Sequence, residues 1–343
     1  MRIDTDVKRI IEAAQDGSPP TKGDCTHLLG FPETTIEAST MRAVADAVSR
    51  QRFNNAGMLL GQIGIEIAPC PGKCKFCSFG EEHTDFESSM LSDDDILARG
   101  RNFTASGELY ALFLMTMHAF DFSRLLHILG IVREAIPQET QIVVNIGDFD
   151  RARAVDLKAA GVDGAYHVCR LREGEHTSLP PQQRLETIQA IKDSGLDWYN
   201  CCEPIGPEHT AEEVSEQIFS GIEYGCFQHA VMRRTYIKSS SLAAQGQITE
   251  LRLAQVAAVV TLASLACPET QSIAVHEPNL LGLASGANTV YAETGANPRD
   301  TQEDTTGNRG RNIAACKEML YEAGFSSLQV SPERLVSLTE AFL

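Results

Sequence analysis

Tryptophan occurs once in 343 residues, and no run of 18 apolar residues exists anywhere in the chain. The second absence excludes a membrane-spanning helix. Basic residues are scarce relative to acidic ones, 29 against 46, for a formal net charge of −17. That balance argues against a general nucleic-acid binder, although a local basic pocket stays open. There is no internal repeat, which excludes a solenoid, and no low-complexity linker. The first residues, MRIDTDVKRIIEAAQDG, have the pattern of an amphipathic helix and lack a signal-peptide core. The expectation is a cytoplasmic chain whose thiols are reduced. Its ten cysteines then point to metal or catalytic chemistry, or to small buried residues, rather than to disulfides. With 43% hydrophobic and 22% charged residues, the chain can bury a sizeable core.

Residues 1–60 read as a helical extension, with turn material at Asp16-Gly-Ser-Pro-Pro20. Short apolar runs then alternate with helical patterns. Strands are expected at 63–68, 109–114, 141–146, 164–169, 198–205, 229–236, 272–275 and 288–291. Helices are expected near 92–104, 123–136, 150–160, 181–194, 211–223, 248–266, 278–284 and 308–323. Ser92-Asp-Asp-Asp95 opens one helix with a cap residue and first-turn acids. Thr210-Ala-Glu-Glu213 forms a capping box at another. Gly161 and Gly195 stop helices just before strands. Eight strand–helix alternations predict a full (β/α)8 TIM-type barrel over 61–330, after the N-terminal extension and before a C-terminal tail at 331–343.

The strongest local signal is Cys70-Pro-Gly-Lys-Cys74-Lys-Phe-Cys77. Pro71 and Gly72 let the loop curl so that three sulfurs converge. Three cysteines can hold three irons of a [4Fe–4S] cluster and leave the fourth iron open to a ligand. A structural zinc site is the alternative. It normally closes with four ligands, and His83 is the nearest candidate for the fourth. A non-catalytic zinc- or cluster-binding protein therefore stays open at this stage.

This cysteine spacing, with Phe76 before the last cysteine, resembles the radical S-adenosylmethionine (SAM) enzymes. The resemblance implies that SAM chelates the open iron through its amino and carboxylate groups. Reductive cleavage then gives a 5′-deoxyadenosyl radical that takes a hydrogen atom from the substrate. The motif follows the first strand, on the barrel face where active sites lie. The run from Tyr166 to Glu173, followed by Gln183–Ile188, resembles the fourth strand and helix of the biotin synthase group, which includes HydE and methylornithine synthase. Glu203-Pro-Ile-Gly-Pro-Glu208 resembles that group's turn near the SAM adenine, which marks Ile205 and Glu208. Gly286-Ala-Asn-Thr-Val-Tyr291 resembles its eighth strand. Where many relatives carry a Gly-Gly-Glu-like run, this chain has Met115-Thr-Met-His118, so Thr116 is the candidate there. Arg170, Arg172 and Glu173 are candidates for the charged groups of SAM. Asn145 is a further candidate for SAM or substrate.

The resemblance also separates members of the group. Biotin synthase needs cysteines on strands two and three for its second cluster, and both expected strands lack them here. Cys169, Cys201, Cys202 and Cys226 lie on or beside strands four to six. They serve either as core residues or as ligands of an auxiliary iron–sulfur cluster, which would suit sulfur insertion of the lipoyl synthase kind. Only one of Cys201 and Cys202 can face the interior, and the same holds for Arg233 and Arg234. An inward arginine suits a substrate carboxylate or phosphate. His276 closes the set of expected substrate contacts. The expected activity is hydrogen abstraction from a small polar or anionic substrate, leading to rearrangement, fragmentation or group transfer in a small-molecule or cofactor pathway. A low-potential donor such as a flavodoxin or ferredoxin would supply the electron, and neither nucleic acid nor a membrane is an expected partner.

Overall fold

The structure, a computed structural model, describes residues 3–84, 87–294 and 311–339. Its centre is a closed ring of eight parallel strands: β1 (Ala56–Gly64), β2 (Ala111–Met115), β3 (Gln141–Asn145), β4 (Gly164–Tyr166), β5 (Asp197–Ile205), β6 (Gln228–Arg233), β7 (Ser272–Val275) and β8 (Thr289–Thr294). Each strand pairs with the next, and β8 returns to β1 in the register Met58↔Thr289 through Ile63↔Thr294. The protein is thus an α/β barrel of the TIM type. Closure leaves the ring itself without a free edge.

Three helices precede the barrel: α1 (Thr5–Gln15), α2 (Lys22–Leu29) and α3 (Ile36–Arg52). Among the described residues eight more follow: α4 (Asp93–Thr104), α5 (Phe122–Ala135), α6 (Arg151–Ala159), α7 (Pro181–Asp193), α8 (Ala211–Glu223), α9 (Glu250–Ala263), α10 (Leu280–Leu283) and α11 (Ile313–Glu322). The expected caps are in place, with Ser92 accepting from the Asp95 amide and a full capping box at Thr210 and Glu213. No described helix is long and apolar enough to cross a membrane. From Leu253 to Ala263 every residue of α9 is buried. It packs on β6 and β7 on one side and on α2 and α3 on the other, so the N-terminal helices cover a face that would otherwise meet water. Arg52, at the end of α3, donates to the carbonyls of Ser264, Cys267 and Thr270 at 2.6, 2.8 and 2.7 Å. Those carbonyls follow α9, beyond its own hydrogen-bond ladder, and keep capacity for a second donor. Arg52→Ala is expected to destabilise the protein by about 2 kcal/mol through lost charged hydrogen bonds. Calorimetry would show this as a melting midpoint lower by a few degrees, and an unchanged midpoint would refute the role.

The first strand starts earlier than the expected 63–68. The segment Ala-Gly-Met-Leu-Leu-Gly-Gln-Ile-Gly contains three glycines and no alternation, so it carries little strand signal. The glycines are there for packing: a Cβ on Gly57 would lie 2.8 Å from Leu320 of α11, and one on Gly61 would lie 2.9 Å from Phe103 of α4. Helices approach the backbone of this strand directly. The expected fourth strand, 164–169, ends at Tyr166, and the sixth, 229–236, ends at Arg233. The helix expected at 308–323 covers Ile313–Glu322, and residues 308–310 lie outside the described residues. Beyond the barrel, β9 (Ser327–Ser331) adds parallel to the start of β1, and β10 (Arg334–Ser337) folds back on β9. Residues 340–343 of the expected tail lie outside the described residues.

Candidate functional site

The cysteine loop lies past the C-terminal end of β1, where its shape is held from outside. Ser178 donates to the carbonyls of Pro71 and Gly72 at 3.2 and 3.0 Å, and the Lys75 amide donates to the His176 carbonyl at 3.0 Å. Ser240 donates to the Lys75 carbonyl. Gly72 sits between two sulfurs: its Cβ position is 3.5 Å from Cys70 Sγ and 3.6 Å from Cys74 Sγ. The Phe79 amide donates to Cys77 Sγ at 3.5 Å. Burial pushes the Cys74 thiol up to about 12, against the pull of the nearby Arg170 guanidinium.

The number of ligands distinguishes between metals. A structural zinc normally closes with four ligands. His83, the candidate fourth zinc ligand, has Nε2 2.6 Å from the Cys77 carbonyl oxygen and is occupied there. A polynuclear cluster with one iron left open fits a set of three thiols, and the Phe79 amide is the type of donor that tunes a cluster sulfur. The residues present therefore fit a [4Fe–4S] cluster held by Cys70, Cys74 and Cys77.

All three cysteines open onto a cavity of about 240 Å³ at the C-terminal end of the barrel. Of the other sequence candidates, Phe76, Thr116, Asn145, Arg170, Arg234 and His276 line it. Asn145 donates to Gln62 Oε1 at 3.0 Å, and the Thr116 hydroxyl is turned back to the Met117 carbonyl at 2.9 Å. The Arg170 guanidinium stands 5.9 Å above the Phe76 ring and 2.8 Å from Glu203 Oε1. Tyr166 donates to the other Glu203 oxygen at 3.0 Å. Burial would lower the Arg170 pKa, but Glu203 and Glu173 hold it well above its ordinary value. His276 packs against Tyr291 and Tyr166, with ring centroids 4.9 and 5.8 Å away.

Five candidates do not line the cavity. Because β4 stops at Tyr166, the alternation that would aim 170–173 inward is lost. Arg172 sits in a turn at φ 55° and pairs with Glu213 at 2.9 Å. Glu173 is buried behind Arg170, accepting from its amide at 2.9 Å and from Thr177 at 2.6 Å. Ile205 is a core residue whose carbonyl accepts from the Arg234 amide at 2.8 Å. Glu208 pairs with Arg234 from behind. Arg233 points away, to Glu277 at 3.1 Å and Glu250 at 3.3 Å, while Arg234 takes the inward place.

The four strand cysteines do not converge. Cys201 belongs to the inner core beneath the cavity, whereas Cys202 and Cys226 belong to the layer between strands and helices. Cys169 packs at the edge of that outer layer, its sulfur 3.9 Å from the Pro181 carbonyl.

Several site residues were not singled out from the sequence. Gln62, Tyr166 and Glu203 line the cavity. Gln62 and Glu203 each sit two residues beyond an inner-core residue, Leu60 and Cys201, so alternation would have found them once the strand bounds were known. Arg184 and His118 also line the cavity and meet at Asp148. Asp148 Oδ1 lies 2.8 Å from Arg184, 3.0 Å from His167 Nε2 and 3.3 Å from Thr187. Burial would raise the Asp148 carboxyl, but His167 and Arg184 hold it at about 2.

One further cluster, His176, Glu208 and His209, brings three potential ligand atoms within 4.8 Å. The Gly206 amide donates to His209 Nδ1 at 2.9 Å. The neutral ring must then carry its proton on Nε2, which becomes a donor instead of a ligand. The cluster is therefore not a metal site.

Neither a protein-family model nor a curated protein matches the sequence. Solved structures do match. Methylornithine synthase (PylB) superposes with a TM-score of 0.79 at 17% identity, over 95% of this chain and 97% of that one. The [FeFe]-hydrogenase maturase HydG from Carboxydothermus hydrogenoformans superposes with a TM-score of 0.75 at 15% identity, over 93% and 78%. A second HydG structure gives 0.77 at 13% identity, over 95% and 76%. The chain shares its closed barrel with methylornithine synthase, a member of the group that its cysteine motif and strand segments resemble.

Proposed function

We propose that this protein is a radical SAM enzyme of the biotin synthase, HydE and methylornithine synthase type. The observation that carries this is the set of three cysteines on one eight-residue loop, all lining a cavity at the C-terminal end of the barrel. When bound, a [4Fe–4S] cluster supplies a low-potential electron and one open iron for SAM. Cys70, Cys74 and Cys77 hold it. Phe76 and Arg170 form the adjoining wall, and Glu203 with Tyr166 offers hydrogen-bonding groups for SAM. The barrel wall shields the cavity on its inner sides, which limits the quenching of a primary radical by water. The substrate is small and polar or anionic: Arg234 presents a guanidinium to the cavity, and a substrate carboxylate would compete with Glu208 for it. The electron comes from a donor of the flavodoxin or ferredoxin class, in the cytoplasm. The dispersal of Cys169, Cys201, Cys202 and Cys226 disfavours an auxiliary cluster and hence sulfur insertion.

Anaerobic reconstitution is expected to give about four irons and four sulfides per chain, and reduced protein with SAM is expected to release 5′-deoxyadenosine. Zinc without iron after anaerobic purification would sink the proposal. About eight irons would favour the sulfur-insertion rival.

A further inference from the structure

We propose that His118, backed by Asp148, accepts the proton that the α-ammonium of SAM must lose before its nitrogen can act as a ligand. This rests on the radical SAM reading above and gives that site its proton acceptor. An α-ammonium has a pKa of about 8, so at neutral pH most of it has no free electron pair. One N–H bond must break heterolytically. The pair stays on nitrogen, and the proton needs a base. A side chain of the cavity wall can supply that base.

His118 is placed for the task. It lines the same cavity as the three cysteines. It follows Met117, which clusters with Met115, Cys70 and Phe79. Gly147 lets the two strand ends meet: a Cβ there would lie 1.8 Å from the His118 carbonyl oxygen. The next residue is Asp148. Its Oδ1 is taken by Arg184, His167 and Thr187. Its Oδ2 is buried without a hydrogen-bond partner and lies 3.9 Å from His118 Nε2. The Asp148 side chain is only 5% exposed.

A buried carboxylate oxygen without a donor is costly. An imidazolium at His118 that closes by about 1 Å would satisfy it, and such contacts tighten when a ligand is bound. The charged groups facing the ring are Asp148, Arg184, Arg170 and Glu173. Burial lowers the His118 pKa, Asp148 opposes this, Arg184 and Arg170 reinforce it and Glu173 opposes it. The free ring is thus neutral at pH 7 and able to receive a proton; in the SAM complex the tightened contact with Asp148 Oδ2 raises its proton affinity, so that the imidazolium persists at pH 7.

The test is calorimetric titration of SAM into the anaerobically reconstituted enzyme, in two buffers of different ionisation enthalpy. The difference in heat counts the protons passed to solvent. Wild type is expected to release close to none at about pH 7, because His118 keeps the proton. His118→Gln is expected to release about one per SAM, with affinity about tenfold weaker and rising about tenfold per pH unit toward pH 8. Release of about one proton by wild type overturns the proposal whatever the variant does, as does an unchanged proton count in the variant. Loaded wild type that binds no SAM overturns the radical SAM reading itself, a result distinct from normal binding with the wrong proton count.

Discussion

Cys74→Ala protein, reconstituted anaerobically, is expected to hold less than half the wild-type iron and to release no 5′-deoxyadenosine above background. Cys74 is the middle ligand, and its sulfur faces Cys70 Sγ across Gly72. Two sulfurs cannot hold a cubane that needs three protein ligands to leave one iron open. The fold should survive the change. The backbone bonds of the loop, Cys77 N to Cys74 O at 3.1 Å and Lys75 N to His176 O at 3.0 Å, do not involve the side chain. The melting midpoint of the unloaded variant should therefore stay within a few degrees of wild type. Cys202→Ala is the control. That sulfur lies in the layer outside the strands, so iron content and SAM cleavage should stay at wild-type levels while stability falls by about 1 kcal/mol. A Cys74→Ala protein that cleaves SAM at the wild-type rate would falsify the cluster assignment. Loss of iron in Cys202→Ala would reinstate an auxiliary cluster.

The barrel was legible because it is written many times over. Eight apolar runs alternate with capped helices, and misplacing any one boundary leaves the count intact. The cysteine loop was legible because three thiols in eight residues have few structural uses. The rest of the site was harder to read for two physical reasons. First, its residues sit at strand ends, where one residue of error in a boundary reverses inside and outside. Arg170 faces the cavity and Arg172 does not because β4 stops at Tyr166 and a turn at positive φ follows. Second, the polar groups of the wall are paired across long sequence distances. Tyr166 with Glu203, and Asp148 with Arg184 and His167, come together only through closure of the ring. The start of β1 was missed for a related reason: its glycines answer to Leu320 and Phe103, far along the chain or on another element. The net charge of −17 carries no information about the cavity, whose lining includes Arg170, Arg184 and Arg234 beside Glu203, Glu277 and Glu293.

The protein is expected to be sharply less stable below about pH 6.5, because two histidines are folded into places where they cannot accept a proton. His229 of β6 is fully buried against Gly221 of α8, which admits no Cβ there: one would lie 2.7 Å from the ring. Both its ring nitrogens lack hydrogen-bond partners among the described residues. Burial pulls its pKa down to about 4. His167 is 1% exposed, and burial with the Arg184 charge pulls it down to about 3, although Asp148 pulls the other way. Each folded-state value lies below the unfolded value of about 6.5. As pH falls through that value, the unfolded chain takes up protons that the folded chain refuses, so stability is lost with falling pH. The loss runs down to about 4 for His229 and about 3 for His167. Over the shared window each histidine contributes about 1.4 kcal/mol per pH unit, or about 2.7 together. Asp148 adds to the loss only below its unfolded value of about 4, as its depressed carboxyl is titrated toward about 2. From about pH 6.5 to about pH 4 this amounts to about 7 kcal/mol, enough to cancel a stability at the lower end of the usual range of about 5–15 kcal/mol. Urea midpoints measured between about pH 7 and about pH 5 should fall steadily below pH 6.5. A leucine fits the apolar layer in place of His229, so His229→Leu should reduce that slope by about half. A wild-type midpoint that holds constant down to about pH 5 would show that neither histidine is buried as described.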